Sequence, residues 1–416
     1  MFSERSHSVE SLEGLRSLGT LGALIVFIVV CCVFSAAPSH AQEQSAEPGT
    51  DAIRQQGRLI HVGPQREIRT LAAAAQVARD GDTIAVDPGD YPGDVAVWTR
   101  DNLTIRAVSG RARLVASGAS AEHKAIWVAR GGSLVVENID FVGARVPDQN
   151  GAGIRLERGR LLVRNCRFMD NENGILTGGD KSIELEIEGS EFGHNGAGDG
   201  LSHNLYAGTI ARLKVTGSYF HHARGGHLLK SRAAENFILY NRLTDEAGGQ
   251  ASYELEFPNG GTAYVIGNII QQGAQTENPH LIAFGAEGYS WPRNELYLVH
   301  NTLVDDRPGG GIFLRVAPGA GQVRLVNNLL LGKGLLEPLA MGAYLNNQRM
   351  AEGDFASAGN QDYRLKKAAK LAGKLVDPGN VNGVNLAPER EYVHPQHTRA
   401  LGHAATLPGA FQSRAP

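Results

Sequence analysis

The amino-acid sequence predicts an all-β solenoid, a fold in which short strands stack coil upon coil along one axis. Three observations support it. The 416-residue chain contains 52 glycines, about twice the usual share of ~7%. A strand-like pattern recurs about every 27 residues. The stretches between strands lack the helical pattern of about 10–15 residues that alternating strand–helix folds require. Collagen and coiled-coil architectures are excluded because their periods are absent from the sequence.

The repeat appears as eight segments of alternating apolar residues, beginning with VENIDF and VRNCRF. The intervals between their last residues average about 27, with the longest, 33, between the sixth and seventh segments. Gly and Asn beside these segments indicate tight bends, where a positive φ is often required. The segments end at Phe141, Phe168, Phe192, Phe220, Leu243, Ile270, Leu303 and Leu330.

The chain from about residue 57 to 335 resembles the right-handed parallel β-helix superfamily of pectate lyases and related polysaccharide enzymes, and we assign residues 57–350 to the β-helix. The strand LIHVGP followed by Thr70–Tyr91 is similar to the entry strand, capping helix and first coil of that superfamily. The resemblance therefore implies a single-stranded parallel β-helix with an N-terminal capping helix. Such a cap covers the apolar core and free strand edges at the end of a solenoid. Residues 351–416 lose the period, and we expect them to form a C-terminal capping tail folded back along the helix.

The N-terminal segment has the pattern of a secretory signal peptide. An apolar run over 21–37 is short for a bilayer span and is followed by the small-x-small sequence Ser39-His40-Ala41. We therefore predict a signal peptide over 1–41, a flexible linker over 42–56 and a periplasmic or secreted protein; the alternative is an uncleaved anchor. After cleavage the chain keeps only Cys166, which excludes an intrachain disulfide and a cysteine zinc site.

A second strand in each coil carries most of the titratable side chains. Because side chains alternate along a strand, we direct Leu156, Leu205, Leu229, Leu255, Ala283 and Leu314 toward the core. The outward positions then hold Arg155, Glu157, Asn204, Tyr206, Leu228, Lys230, Arg232, Glu254, Glu256, Ile282, Phe284, Phe313 and Arg315.

This alignment predicts that Tyr206, Lys230 and Glu256 stack on three successive coils of one exposed sheet. Neighbouring strands lie about 4.8 Å apart, so the three side chains would face one site. The alternative is a solvated sheet face on which Lys230 pairs with Glu256. The density of charged and aromatic groups here favours a groove for a sugar chain.

These residue types permit β-elimination from a uronate-containing polysaccharide. In that reaction a base removes the proton next to the uronate carboxylate, a cation neutralises the carboxylate, and an acid protonates the leaving oxygen. We assign the base to Lys230, with Arg232 and partial burial favouring its neutral form. Arg232 would bind the carboxylate through two hydrogen bonds. Tyr206 would be the acid, or base and acid in succession.

The string HLLKSRAAENFILYN over 227–241 resembles the catalytic coil of chondroitin B and alginate lyases, which share the parallel β-helix. The resemblance implies a functional role for Lys230 only. Those enzymes have an Arg after a Leu on the next coil, where this chain has Glu256. They have acidic calcium ligands where this chain has Gly226 and His227. Arg232 is then the nearby substitute for the missing Arg.

The loop between the sixth and seventh repeats, GAEGYSWPRNE, follows the groove strand and supplies Tyr289, Trp291 and Arg293. We predict that it walls one end of the cleft; the alternative is that Trp291 only anchors a long turn. His221 and His222 are interpreted as bend residues. The predicted substrate-binding residues are His203, Asn204, His227, Glu254, Glu256, Phe284, Trp291 and Arg315.

Several functions and cofactors stay open at the level of sequence. A glycoside hydrolase could use Glu254 and Glu256 as its carboxylate pair, since both were placed on one face. A uronate epimerase or a non-catalytic glycan-binding protein fits the same groove. The cofactor is either none or calcium, and a metal site built from His203, His227 and Glu254 is allowed by residue type. The net charge of −3 favours no nucleic-acid partner. We expect a monomer that binds an acidic polysaccharide and no membrane after cleavage.

Overall fold

The computed structural model describes residues 57–340, 342–366, 371 and 375–413. The predicted leader and linker, 1–41 and 42–56, lie outside the described residues. The described chain is a parallel β-helix whose coils each contribute a strand to as many as three parallel sheets, called sheet 1, sheet 2 and sheet 3 in chain order within a coil. The predicted all-β solenoid is therefore confirmed. Among the described residues, no helix has the length and apolar character needed to cross a membrane.

Sheet 1 has twelve strands and sheet 2 has eleven, all paired in parallel with the preceding and following coils. The strands of sheet 1 are Leu59–Val62, Thr83–Val86, Leu103–Ala107, Ser133–Glu137, Arg160–Arg164, Glu184–Glu188, Arg212–Thr216, Glu235–Leu239, Thr262–Ile266, Glu295–Val299, Gln322–Val326 and Gly342–Leu345. The strands of sheet 2 are Gly89–Pro92, Ala112–Val115, Ile139–Val142, Arg167–Met169, Glu191–Gly193, Tyr219–His221, Arg242–Thr244, Ile269–Gln272, Thr302–Asp305, Leu329–Gly332 and Gln348–Met350.

Sheet 3 has nine strands and forms the face on which the groove was predicted. Its strands are Ala96–Trp98, Ala125–Ala129, Ala152–Leu156, Asn173–Thr177, Leu205–Ala207, Leu229–Ser231, Leu255–Phe257, His280–Phe284 and Ile312–Val316. Several of these strands are only three residues long, so the bends that flank them bring additional side chains to the same face.

The eight predicted repeat ends occupy one continuous row of sheet 2. Each pairs with the next, from Phe141 with Phe168 through to Leu303 with Leu330. Consecutive phenylalanine rings of this row stack in the core, with centroids 5.0, 4.7 and 4.6 Å apart from Phe141 to Phe220. The apolar residue that ends each segment is thus the inward residue of its strand, and the repeat predicted from sequence is the structural repeat.

Buried asparagines stabilise the bends between sheets 1 and 2. In this asparagine ladder, each side-chain carbonyl accepts hydrogen bonds from the backbone and side-chain amides of the asparagine one coil earlier. The Asn241–Asn268 and Asn268–Asn301 steps are examples, with distances of 2.8–3.1 Å. The ladder continues through Asn328 to Asn347. Each buried asparagine amide is thus hydrogen-bonded to the next asparagine of the ladder. The repeated contact fixes the register of each coil on the next.

A short helix, Leu71–Val77, follows the first strand. The Thr70 hydroxyl accepts a hydrogen bond from the Ala73 amide, and the Asp94 carboxylate accepts from the first two helical amides, so the amides that a helix start leaves unpaired are satisfied. The helix predicted in this region is present; its role as a cap stays a prediction.

The C-terminal residues lack the solenoid period. They contain two 3₁₀ turns, Glu352–Asp354 and Ala358–Asn360, and three antiparallel strand pairs. Apolar tail residues such as Tyr363, Tyr392 and Leu407 pack against Ile269 and Leu329 of sheet 2. The strand pairs are Phe355–Ser357 with Asp362–Leu365, Asn380–Val381 with Val384–Asn385, and Arg390–Val393 with His397–Ala400.

Candidate active site

The row of side chains predicted on sheet 3 has the expected register. Tyr206 pairs with Lys230, and Lys230 pairs with Glu256, on three successive strands. Arg155 belongs to the same row two coils before Tyr206, because the strand Asn173–Thr177 lies between them. That intervening strand was absent from the sequence alignment. The prediction that Tyr206, Lys230 and Glu256 stack on one sheet is confirmed.

Two predicted groove residues, Asn204 and Glu254, have interior side chains, so their placement on the outward face is wrong. Asn204 is fully buried; its Oδ1 accepts from Asn195 and its Nδ2 donates to the carbonyl of His221. Glu254 is also fully buried. Each residue directly precedes a strand, at the corner between sheets, where the alternation of an extended strand does not apply. Two apolar residues in the corresponding position of other coils, Leu228 and Phe313, are likewise in the core.

The strand His280–Phe284 is shifted by one residue from the predicted alternation. Ile282, rather than Ala283, continues the inward row after Leu255. Phe284 is fully buried in the core, so its assignment as a substrate-binding residue is wrong. Every residue of this strand after the first is buried. The sequence of the strand therefore does not alternate between apolar and polar residues, and its inward face could not be predicted from alternation.

Lys230 and Arg232 hold one carboxylate between them, and it belongs to Glu287 in the loop after the strand His280–Phe284. Lys230 Nζ lies 3.1 Å from one oxygen of Glu287, and Arg232 Nη2 lies 2.7 Å from the other. Burial raises the pKa of Glu287, but the hydrogen bonds from Arg232 and Lys230 lower it by more. The pKa of this carboxyl is therefore below its usual value. Glu287 was not identified from the sequence, although its loop was.

The Tyr206 hydroxyl lies beside this cationic pair. Its oxygen accepts a hydrogen bond from Arg232 Nε at 2.8 Å, and the Lys230 ammonium lies 5.8 Å from the centre of its ring. His203 contacts the ring edge-on, with centroids 5.2 Å apart. Tyr206 is partly exposed, so its hydroxyl can meet a ligand in the groove.

Two histidines and Glu256 form the buried floor beside Lys230. His227 Nε2 lies 2.9 Å from Glu256 Oε2, and Lys230 Nζ lies 3.3 Å from the same oxygen. Burial opposes ionisation of Glu256, but His227 and Lys230 hold its pKa below the usual value. Burial lowers the pKa of His227. Burial also lowers the pKa of His203, and the neighbouring His227 lowers it further. Burial thus disfavours the charged form of both imidazoles.

The loop predicted to wall the cleft returns to the groove through Trp291. Its indole N–H donates to the backbone carbonyl of Arg232 at 3.0 Å, and the Lys181 ammonium lies 5.1 Å from the ring centre. Tyr289 packs against the core residue Phe284 and donates its hydroxyl to a backbone carbonyl, which anchors the loop. Trp291 is half-buried, so part of the ring still faces solvent.

A cleft of about 400 Å³ lies along this face. Its lining includes Arg155, whose Nε is buried and lacks a hydrogen-bond partner in the described part of the chain. Burial lowers the pKa of Arg155. Arg315 is exposed at the far end of the sheet. The cleft is lined by Asn150, Arg155, Asn173, Leu176, Tyr206 and Arg232, among others.

Among the residues that the structure describes, the groove side chains do not provide the oxygen ligands of a calcium site. Calcium takes about six to eight oxygen ligands. Glu256 and Glu287, the carboxylates described beside Lys230, are both already paired with cationic or histidine side chains. The site made of His203, His227 and Glu254 is also incompatible with this arrangement, because Glu254 points into the core.

The comparisons with known proteins concern the fold. No protein-family model and no curated protein matches the chain. Among solved structures, the crystal structure of pectate lyase Pel9A matches with a TM-score of 0.58 and 13% identity, over 79% of this chain and 94% of that chain. The PL6 family polysaccharide lyase Pedsa3628 from Pseudopedobacter saltans matches with a TM-score of 0.38 and 12% identity, over 74% and 96%. The described chain thus has a parallel β-helix fold similar to that of pectate lyases.

Proposed function

We propose that this protein is a secreted polysaccharide lyase that cleaves a uronate-containing glycan by β-elimination in the groove of sheet 3. The observation that carries the proposal is the binding of the Glu287 carboxylate by Lys230 and Arg232. Two cations that hold a carboxylate of the chain itself, on an open face beside a tyrosine hydroxyl, have the chemistry needed to hold the carboxylate of a uronate.

The proposed roles follow from these contacts. The uronate carboxylate takes the place of Glu287, and the two cations stabilise the negative charge that develops on it when C5 loses its proton. Tyr206, which enters the step as the phenolate with Arg232 donating to its oxygen, takes the C5 proton to become the phenol and then gives this proton to the leaving glycosidic oxygen. The C4–O bond breaks and a C4=C5 double bond forms. Lys230 was assigned as the base from sequence, but its Nζ lies 3.3 Å from a carboxylate oxygen of Glu256 and 3.1 Å from one of Glu287, and we assign it to carboxylate binding.

The alternatives differ in how well the groove supports them. The hydrolase pair Glu254 and Glu256 is not available, because Glu254 is buried in the core. An epimerase would use the same groups to remove and replace the C5 proton without breaking the C4–O bond. Export is supported by the apolar run over 21–37 and the small-x-small sequence that follows it.

The test is incubation of the protein with a panel of uronate polysaccharides while the ultraviolet absorbance of the unsaturated product is followed. We expect absorbance and new reducing ends to appear together with at least one glycan. Reducing ends without absorbance would identify a hydrolase instead. Exchange of solvent deuterium into the uronate without cleavage would identify an epimerase, and binding on a glycan array without any reaction would identify a binding protein.

A further inference from the structure

Three histidines converge at the bends that follow two neighbouring strands of sheet 2. His221 ends the strand Tyr219–His221, and His222 follows it with φ of 46°. His194 follows the preceding strand of the sheet with φ of 55°. One potential ligand nitrogen from each ring lies within 4.8 Å of those of the other two. We call these residues the bend histidine cluster. It lies outside the groove row of sheet 3 and has no part in the proposed elimination.

We propose that the bend histidine cluster binds a divalent transition-metal ion of the Zn²⁺ type. Imidazole nitrogen suits zinc, copper and nickel, whereas calcium and magnesium prefer oxygen. Three histidines with a fourth position open to water form a complete tetrahedral set for zinc. Zn–N bonds of about 2.0–2.1 Å separate tetrahedral ligand nitrogens by roughly 3.3 Å. The three ligand nitrogens lie within 4.8 Å of one another, so small side-chain movements would bring them to that separation.

A carboxylate orients the central ligand. Glu191 Oε1 lies 3.4 Å from His221 Nε2, which favours a proton on Nε2 and leaves the lone pair on Nδ1. His221 Nδ1 lies 2.8 Å from His222 Nδ1, so the lone pair is directed toward the other histidines. A carboxylate that fixes the tautomer of a ligating histidine is a usual feature of zinc sites.

The surrounding packing leaves room for the three imidazole rings. Gly193 lies directly under His221, and a Cβ there would come within 2.3 Å of the imidazole Cε1. The rings of His194 and His222 stack with centroids 4.6 Å apart.

The cluster also contacts the base of the groove. The carbonyl of His221 accepts a hydrogen bond from the buried Asn204 side chain at 2.8 Å, and Asn204 directly precedes the strand that carries Tyr206. An ion bound here would clamp two successive coils at the bend that leads into that strand. Its role is therefore structural, and its binding is measurable without any glycan.

The test uses the chain without a polyhistidine tag, treated with chelator and dialysed. Calorimetric titration with ZnCl₂ should show one equivalent bound, and CoCl₂ should give the visible absorption of tetrahedral Co²⁺. The thermal midpoint should rise with Zn²⁺ and not with the same concentration of CaCl₂. Absence of Zn²⁺ binding, or an equal response to calcium, would overturn the proposal.

Variants locate the site. His194→Asn with His222→Asn removes two ligands while keeping a residue type that tolerates positive φ, and should abolish the Co²⁺ spectrum. His123→Asn is the matched control, since His123 is exposed and also has a positive φ of 53°; it should bind as the wild type does. If the double variant does not fold, Glu191→Gln should weaken Zn²⁺ binding about 10- to 100-fold. Binding that is unchanged in these variants, or lost only in His203→Gln, would place the ion elsewhere and refute the assignment.

Discussion

The Arg232 guanidinium donates a hydrogen bond from Nε to the hydroxyl oxygen of Tyr206 over 2.8 Å. The same guanidinium holds Glu287 through Nη2. One side chain therefore connects the group that we assign to proton transfer with the position that we assign to the substrate carboxylate. In the proposed reaction, Arg232 therefore donates to the oxygen atom that accepts the C5 proton.

Tyr206→Phe tests this connection because it removes the hydroxyl and keeps the ring. We expect turnover to fall by about 10²-fold or more, with the thermal midpoint little changed since the residue is partly exposed. Tyr253→Phe is the control: Tyr253 contacts His227 edge-on and is also partly exposed. An unchanged rate in Tyr206→Phe would show that Tyr206 contacts the sugar only through its ring and transfers no proton.

Lys230→Ala should abolish measurable turnover while leaving the thermal midpoint within a few degrees. The side chain binds the carboxylate in the proposed reaction, and Glu256 keeps its contact with His227 after the change. Lys214→Ala is matched to it, because Lys214 forms a 2.6 Å ion pair with Glu186 on sheet 1, away from the groove. Wild-type activity in Lys230→Ala would contradict the lyase proposal.

Glu287→Gln should strengthen the binding of acidic oligosaccharides. The Glu287 carboxylate occupies Lys230 and Arg232 before substrate arrives, and a neutral amide competes with a uronate less well. Because Glu287 is 44% exposed, we expect a modest, several-fold fall in KM rather than a change in kcat. Initial rates at varied glycan concentration measure it; a higher KM would mean that Glu287 itself contacts the sugar.

Glu254→Gln should stabilise the fold at neutral and alkaline pH. Burial raises the pKa of Glu254 well above its usual value, the nearby Asp245 and Asp305 raise it further, and neither carboxylate oxygen has a hydrogen-bond partner among the described residues. Burial also raises the pKa of Asp245 to about 7.

The direction of this pH dependence of stability follows from the raised pKa of Glu254. Its contribution to stability is fully present below the unfolded-state pKa, near 4.5, and is lost as pH rises toward the folded-state pKa. Thermal midpoints at pH 5 and pH 8 should therefore differ more for the wild type than for Glu254→Gln. Glu277→Gln provides the control, because it is the same substitution at an exposed position. A variant that is less stable at pH 8 would show that the carboxylate is needed in its ionised form.

Trp291→Ala should weaken the binding of long oligosaccharides more than that of short ones, if the loop walls the cleft. Trp291→Phe keeps an aromatic surface but loses the N–H that donates to the Arg232 carbonyl, so it separates stacking from anchoring. Binding measured against oligosaccharide length distinguishes the two roles. Equal affinity across lengths together with a clear fall in stability would assign Trp291 to the anchor alone.

The sequence predicted the fold and the central row of the groove because both follow from periodicity. Phe141 and its seven successors are inward residues of one sheet, and their spacing is the coil length. Tyr206, Lys230 and Glu256 each follow an inward leucine by one residue on adjacent strands, so alternation alone predicted their register.

Alternation was uninformative where the chain bends or where both faces are apolar. Asn204 and Glu254 lie at corners, and Phe284 belongs to a strand that is buried on both sides. Glu287 reaches Lys230 from a loop 57 residues further along the chain, a contact that depends on how the loop folds back over the sheet. Periodicity carries no information on such a contact.

The asparagine ladder has a consequence for how this protein can change in length. Within the ladder, each asparagine contacts only the asparagines of the adjacent coils. Removal of one complete coil, such as the 27 residues 242–268, would therefore join two equivalent positions and leave a continuous ladder. Removal of a single residue within a coil would instead shift the ladder against the phenylalanine row of the core. Insertions and deletions in homologous chains should therefore come as whole coils or fall in the loops between strands, and the length of the groove should vary in steps of one strand.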